Sequence, residues 1–209
     1  MAISKGAKRT DGLESAEQVQ MVVEEIAKKS QTVADLFLLG VETQLRGVDM
    51  REWRWDELDI GSQVLRITQD KTKEAVEVEL TETARDVLQA RYNERGENVY
   101  VFQNDSNRSK GKPISRSKVH AEIQYAVDKL KMRGLLPQDA VISMHSSRKT
   151  IASIAHSKGE DLEVISKMLG HRSTEHTRAY LGITQAKVDA LRTKYSTGIK
   201  RGSRSCLFR

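Results

Sequence analysis

One cysteine, Cys206, is the whole thiol content of the sequence. A lone thiol can form neither an internal disulfide nor a thiolate metal cluster, and it suits a reducing compartment. No apolar run approaches the roughly 20 residues that a membrane-spanning helix needs. The first ten residues also lack an apolar segment of signal-peptide length. Repeats and low-complexity tracts are missing as well. These absences exclude a disulfide scaffold and a thiolate metal module, and they lead to the expectation of a soluble, cytoplasmic protein with no membrane partner.

What is present is a chain of 209 residues, enough for one full-sized domain with short tails and too few for two large ones. Lys and Arg number 35 against 29 Asp and Glu, a formal charge of +6 that favours a polyanionic partner. The charge alone is a weak pointer, because many basic soluble proteins never touch nucleic acid.

Residues 1–14 are polar and read as a loose lead. Ser15 can cap a helix from Ala16 to about Lys29 that places Val19, Val22, Val23 and Ile26 on one face. A second, largely apolar helix is expected from about Thr32 to Gln44, and a short one over 47–56 ending in Trp53 and Trp55. The period then changes to two: 64–68 and 76–80 alternate β-branched with other residues around a polar, basic segment 69–74, a hairpin pattern. A helix from Thr81 to Arg95 follows, capped by Thr81 or Thr83, then a short strand at Val99–Phe102 and a basic loop over 104–117. Helices are expected at about 117–133, 145–158, 161–169, 174–181 and 184–195. The fold class is therefore mainly α with a small antiparallel β-sheet.

Five segments carry residues suited to a phosphodiester: Arg46, Lys71, His145 with Arg148, His171, and Tyr180. Each has an ordinary reading by itself. Arg46 suits a helix end, Lys71 a solvated hairpin tip, His145 a turn, Arg148 a surface ion pair, His171 a helix C-terminus and Tyr180 an amphipathic core face. His156, His171 and His176 are not spaced as ligands on adjacent helical turns, and no carboxylate framework accompanies them, so no metal site is expected.

The order of these residues carries more than any one of them. His145-Ser146-Ser147-Arg148, then Leu169-Gly170-His171, then Thr177-Arg178-Ala179-Tyr180 resembles the signature of the tyrosine recombinase and phage integrase family. His171 lies 23 residues after Arg148 and nine before Tyr180, as that signature has it. Upstream, Thr43-Gln44-Leu45-Arg46-Gly47-Val48-Asp49 with Arg54-Trp55-Asp56-Glu57 is similar to the family's first arginine box. Asp70-Lys71-Thr72-Lys73 is similar to its hairpin lysine. The resemblance covers about 16–195 and implies a tyrosine recombinase catalytic-domain fold.

It also implies a reaction. Tyr180 would attack a DNA phosphate, leaving a 3′-phosphotyrosine and a free 5′ hydroxyl, with the phosphoester energy kept for rejoining, so neither ATP nor a metal is expected. A phenol with an ordinary pKa near 10 needs help at neutral pH. Negative charge gathering on the phosphate oxygens suits two guanidinium forks, Arg46 and Arg148. By resemblance, His145 assists proton transfer, His171 hydrogen-bonds the phosphate, and Lys71 protonates the departing oxygen, with Lys73 a possible substitute. Lys73, Lys110, Lys112, Lys149 and Arg172 are candidate DNA contacts.

The departures are small. Gln44 stands for the usual glycine, Asp49 for the usual glutamate, where it keeps a carboxylate near Arg46, and Lys149 for a frequent histidine. The family's separate N-terminal core-binding domain has no counterpart in the 15 or so residues before the first helix, which implies a naturally minimal protein or a piece of a longer one. The expected partners are double-stranded DNA recombination sites, further copies of the chain in a tetramer on DNA, and accessory DNA-bending proteins, with the protein nucleoid-associated when acting. The last helix, bearing Val188, Leu191 and Tyr195, is either packed on its own domain or donated to a neighbour. The domain reading is a lead over 1–14, a catalytic domain over 15–196 and a basic tail over 197–209. Two other functions share these residues: relaxation of supercoils in the manner of a type IB topoisomerase, and DNA-binding regulation without catalysis.

Overall fold

Polar caps set most of the helix starts. Ser15, Ser30, Thr81, Ser115 and Asp161 all sit in extended backbone, and each accepts a hydrogen bond from an N–H in the turn that follows. These bonds satisfy donors that a helix start leaves open. The helices are α1 (Ala16–Ala27), α2 (Gln31–Thr43), α3 (Gly47–Arg51), α4 (Glu82–Glu94), α5 (Arg116–Met132), α6 (Met144–Ser157), α7 (Leu162–Met168) and α8 (Thr174–Tyr180), with a 3-10 turn at Trp55–Glu57. The computed structural model describes residues 10–68, 75–104, 111–169 and 173–183, together with Lys194. The expected hairpin tip, residues 170–172, the expected last helix and the tail lie outside the described residues, as do Lys71, Lys73, Lys110, His171 and Arg172. No helix among the described residues is long and apolar enough to cross a membrane.

Strands β1 (Val64–Thr68) and β2 (Ala75–Glu79) pair antiparallel with Leu65 opposite Val78 and Arg66 opposite Glu77. The alternation works as expected: Leu65 turns into the core, while Arg66 on the other face donates to Glu77 at 2.8 Å in solvent. The seven longer helices expected from periodicity are present within two residues at each end.

Two expectations need correction. Residues 47–56 are not one helix, because the backbone leaves α3 at Glu52 to pair elsewhere. Trp53 O accepts from Val101 N at 2.9 Å and Trp55 N donates to Val99 O at 3.1 Å. For the same reason Val99–Phe102 is not a strand. It makes single bridges to two different segments, Arg54 to Tyr100 and Gln103 to Pro113, and no ladder. Val101 and Phe102 are apolar because they enter the core, at 1% and 0% exposure. Arg91 of α4 holds this corner, donating to Val101 O at 2.9 and 2.7 Å and to Asp35 of α2 at 2.9 Å.

The centre of the molecule is α2, which touches α1, α3, α4, α5 and α6 and has ten of its thirteen residues buried. Its approach to α6 is unusually close. A Cβ at Gly40 would stand 2.3 Å from Ser147 Oγ, and one at Gly47 would stand 2.5 Å from Met144 Cγ. Glycine at both positions therefore lets the first turn of α6 sit against the α2–α3 junction. That junction turns through Gln44, whose φ of 55° is left-handed. This is the geometry a glycine C-cap supplies without strain, which explains what the usual residue does there. A second, smaller apolar cluster of Ala152, Ile165 and Leu169 joins α6 to α7, with Tyr180 and Leu181 packed on it.

Candidate active site

Helix α6 begins with a reciprocal cap: Ser143 accepts at its side chain and donates its backbone N–H to Ser146 Oγ at 3.0 Å. Ser146, Ser147 and Thr150 point inward and are fully buried. The positions between them, His145, Arg148 and Lys149, are three and four apart and share the other face. Arg46 is the residue on which α3 begins, in extended backbone. The Gly40 and Gly47 contacts bring it to the same place.

Tyr180 closes the site from the end of α8. Its ring stands edge-on to the His145 imidazole, with centroids 6.0 Å apart and planes at 84°. The Arg148 guanidinium lies close enough to act electrostatically on its phenol, and the Arg46 charge acts on it too. Burial pushes the phenol above the usual 10, while Arg148 and then Arg46 pull it back. Burial also lowers the Arg148 pKa, with the Tyr180 oxygen and the Asp49 carboxylate acting the other way. A guanidinium stays charged throughout. Asp49 is itself buried at 7% exposure. The Asp49 carboxylate, expected near Arg46, also acts as a counter-charge on Arg148. His145 keeps an exposed edge. Partial burial lowers its pKa from 6.5, and Lys149, Arg148 and Arg46 lower it further, so it is neutral at pH 7.

Of the sequence-derived candidates, Arg46, His145, Arg148 and Tyr180 come together. Lys149 joins them with its Nζ 4.7 Å from the centre of the Tyr180 ring. Lys112 is exposed on the turn before Pro113 and does not line the site. Sequence reasoning missed the cleft beside the site. It has a volume of about 820 Å³, and among the described residues that line it Arg46, Arg51, Arg116, Ser117, His120 and His145 supply cationic and neutral groups and no carboxylate. Arg116 and His120 lie four apart on α5, a spacing visible in the sequence. That Arg51 of α3 faces them is not. Among the described residues no group of three or more His, Cys, Asp or Glu could hold a metal ion.

Comparison with known proteins matches the chain to one family. Residues 14–187 match the model of the phage integrase family. A protein of Methanocaldococcus jannaschii described as a probable integrase/recombinase is 26% identical over 172 residues, covering 79% of this chain and 51% of that relative, so the chain spans about half its length. The crystal structure of XerA recombinase superposes with a TM-score of 0.61 at 17% identity over 93% of this chain and 68% of that one. The Tn1549 transposon integrase in complex with transposon right-end DNA gives 0.67 at 15% identity, covering 92% and 67%. A lambda integrase dimer bound to a core site gives 0.62 at 18% identity, covering 86% and 50%. At these identities the likeness is one of fold.

Proposed function

The chain belongs to the phage integrase family and has the tyrosine recombinase catalytic-domain fold, and from that premise we propose that it is a site-specific DNA recombinase with Tyr180 as nucleophile. The observation that carries the reading is the Tyr180 phenol set beside Arg148, Arg46 and His145, at a cleft whose described lining residues include no carboxylate.

In the proposed reaction the Tyr180 oxygen bonds to phosphorus and the bond from phosphorus to the 5′ oxygen breaks. His145, neutral at working pH, accepts the phenol proton. Arg46 and Arg148 hold the non-bridging oxygens, where charge rises in the transition state. The departing oxygen takes a proton from Lys71, with His171 hydrogen-bonded to the phosphate, both by family resemblance. Attack of a 5′ hydroxyl on the phosphotyrosine reverses each step and returns the proton to Tyr180. Exchange between two duplexes requires a copy of the chain at each cleaved phosphate, so the active form is a homo-oligomer on paired sites. The cleft walled by Arg51, Arg116 and His120 takes the backbone next to the cleaved phosphate.

Covalent capture tests this reading. The purified chain is mixed with a randomised library of nicked duplexes, and SDS-stable protein–DNA adducts are recovered and sequenced. Adducts sharing a motif are expected, and Tyr180→Phe abolishes them. An adduct that survives Tyr180→Phe, or salt-sensitive binding with no adduct at all, overturns the proposal, and the second result favours a non-catalytic DNA-binding role.

A further inference from the structure

Residues 10–13 run along α6 and the segment just before it, and are stitched to them across sequence separations of 130 to 139 residues. Leu13 N donates to Thr150 Oγ1 at 3.2 Å, Asp11 N donates to Val141 O at 2.9 Å, and Val141 N donates back to Asp11 Oδ2 at 3.0 Å. Gly12 lies so close that a Cβ would stand 2.3 Å from Ser153 Oγ and 3.1 Å from Lys149 O. The segment ends against Lys149, whose Nζ donates to Thr10 O at 2.9 Å. That same Nζ stands 4.7 Å from the centre of the Tyr180 ring.

We propose that Lys149 is a positioning residue of the strand-transfer site, held over the Tyr180 ring and beside His145 by the carbonyl of Thr10, so that residues 10–13 form part of the active-site wall. A lysine stem has four rotatable carbons and does not hold an ammonium in one place unaided. The Thr10 carbonyl supplies the fixed point. An ammonium over an aromatic face is attracted by the ring quadrupole, which holds the nucleophile's ring in orientation and favours negative charge growing on its oxygen. The same charge opposes protonation of His145 and keeps its nitrogen free to accept a proton. The other groups around His145 are Arg148 on its own helix, Arg46 at the α2–α3 junction and Tyr180 on α8. Arg51, Arg116 and His120 share its cleft, and Asp49 acts through Arg148.

The kinetic consequence of this role rests on the proposed recombinase reaction, while its titration consequence needs no DNA. Two substitutions separate them: Lys149→Met removes the charge and keeps the stem, and Gly12→Val leaves Lys149 intact but lifts the segment from α6. The His145 ring proton is followed by NMR titration in each full-length variant, alongside the rate of adduct formation on the captured duplex as a function of pH. In both variants the His145 midpoint is expected to move upward, the acid limb of the rate to move with it, and the rate at neutral pH to fall about threefold to tenfold, the range set by one cation–ring contact. Lys149→Arg should restore all three. An unchanged His145 midpoint in Lys149→Met, or wild-type behaviour of Gly12→Val, overturns the role of Lys149 and leaves the recombinase reading standing. A wild-type chain that forms no adduct removes that reading, and a shifted midpoint then still reports the contact itself. Should Lys149→Met fail to fold, Gly12→Val decides alone.

Discussion

Arg148 reaches from α6 to the end of α7, where its Nη2 donates to the carbonyl oxygen of Leu169 at 3.4 Å. The same guanidinium faces the Tyr180 phenol. One side chain therefore spans two short helices, α7 and α8, which pack on each other and reach the rest of the protein through α6. A 3.4 Å bond is long and contributes orientation more than energy.

Arg148→Lys keeps a positive charge and loses the planar fork that serves Leu169 O, faces Tyr180 and, in the proposed reaction, holds a phosphate oxygen. The rate of covalent adduct formation is expected to fall about 10²–10³-fold, as when an oxyanion donor is removed. DNA affinity should change far less. Arg148 opposes the upward push of burial on Tyr180, so the remaining activity should shift toward alkaline pH. Single-turnover rates across pH measure both effects, and a wild-type profile in the lysine variant contradicts them.

Arg51→Ala and Arg116→Ala remove charge from the cleft wall without touching Tyr180. Each is expected to weaken binding to duplex DNA and to lower the slope of log affinity against log salt by about one. Arg133, whose partner is Glu25 on the α1 side, is the control. Replacing it should leave the slope unchanged. Salt titrations of fluorescence anisotropy give the comparison.

His145 links the site to acid stability. Its pKa lies below 6.5 in the folded chain, from partial burial first and the charges of Lys149, Arg148 and Arg46 next. The unfolded chain takes up that proton nearer pH 6.5, so the unfolded state binds more protons in the interval. The contribution is then intact above about pH 6.5 and is lost as pH falls from there through the lower folded pKa. His145→Gln should flatten the decline of Tm on the acid side, and an unaltered decline assigns it to other groups.

Gly40→Ala tests the packing on which the site depends. Its Cβ would meet Ser147 Oγ at 2.3 Å and Met144 Cε at 2.8 Å, so these side chains must turn aside in a packed interface or α2 and α6 must separate. Overpacking of this kind costs about 1–3 kcal/mol. Separation also draws Arg46 from His145 and Arg148, so adduct formation should fall even where the protein stays folded. Ser147→Ala in the same chain removes the nearer atom and should recover part of the stability. Thermal denaturation and adduct rates on the single and double variants show whether the two losses move together.

Much of this was legible in the chain because it is local. Ser15 and Thr81 announce helix starts through their own hydrogen bonds, the alternation at Leu65 and Arg66 announces a half-buried strand, and the order of Arg46, His145, Arg148 and Tyr180 carries the family resemblance. Each of these depends on residues a few positions apart, or on order alone. The run Val99–Phe102 misled for the complementary reason: its apolar residues serve a corner tied to Trp53, Pro113 and Arg91, which no short window contains.

The sequence by itself determined where the seven longer helices and the two paired strands lie and which side chains are chemically fit to handle a phosphate, since backbone propensity and side-chain chemistry belong to the residues themselves. Only the tertiary structure decided that Gly40 and Gly47 admit α6 against Arg46, that Arg51 of α3 faces Arg116 of α5, and that Lys149 rests between Thr10 and Tyr180. These are contacts between distant segments, set by close packing of the whole core, and no periodicity along the chain encodes which surfaces meet.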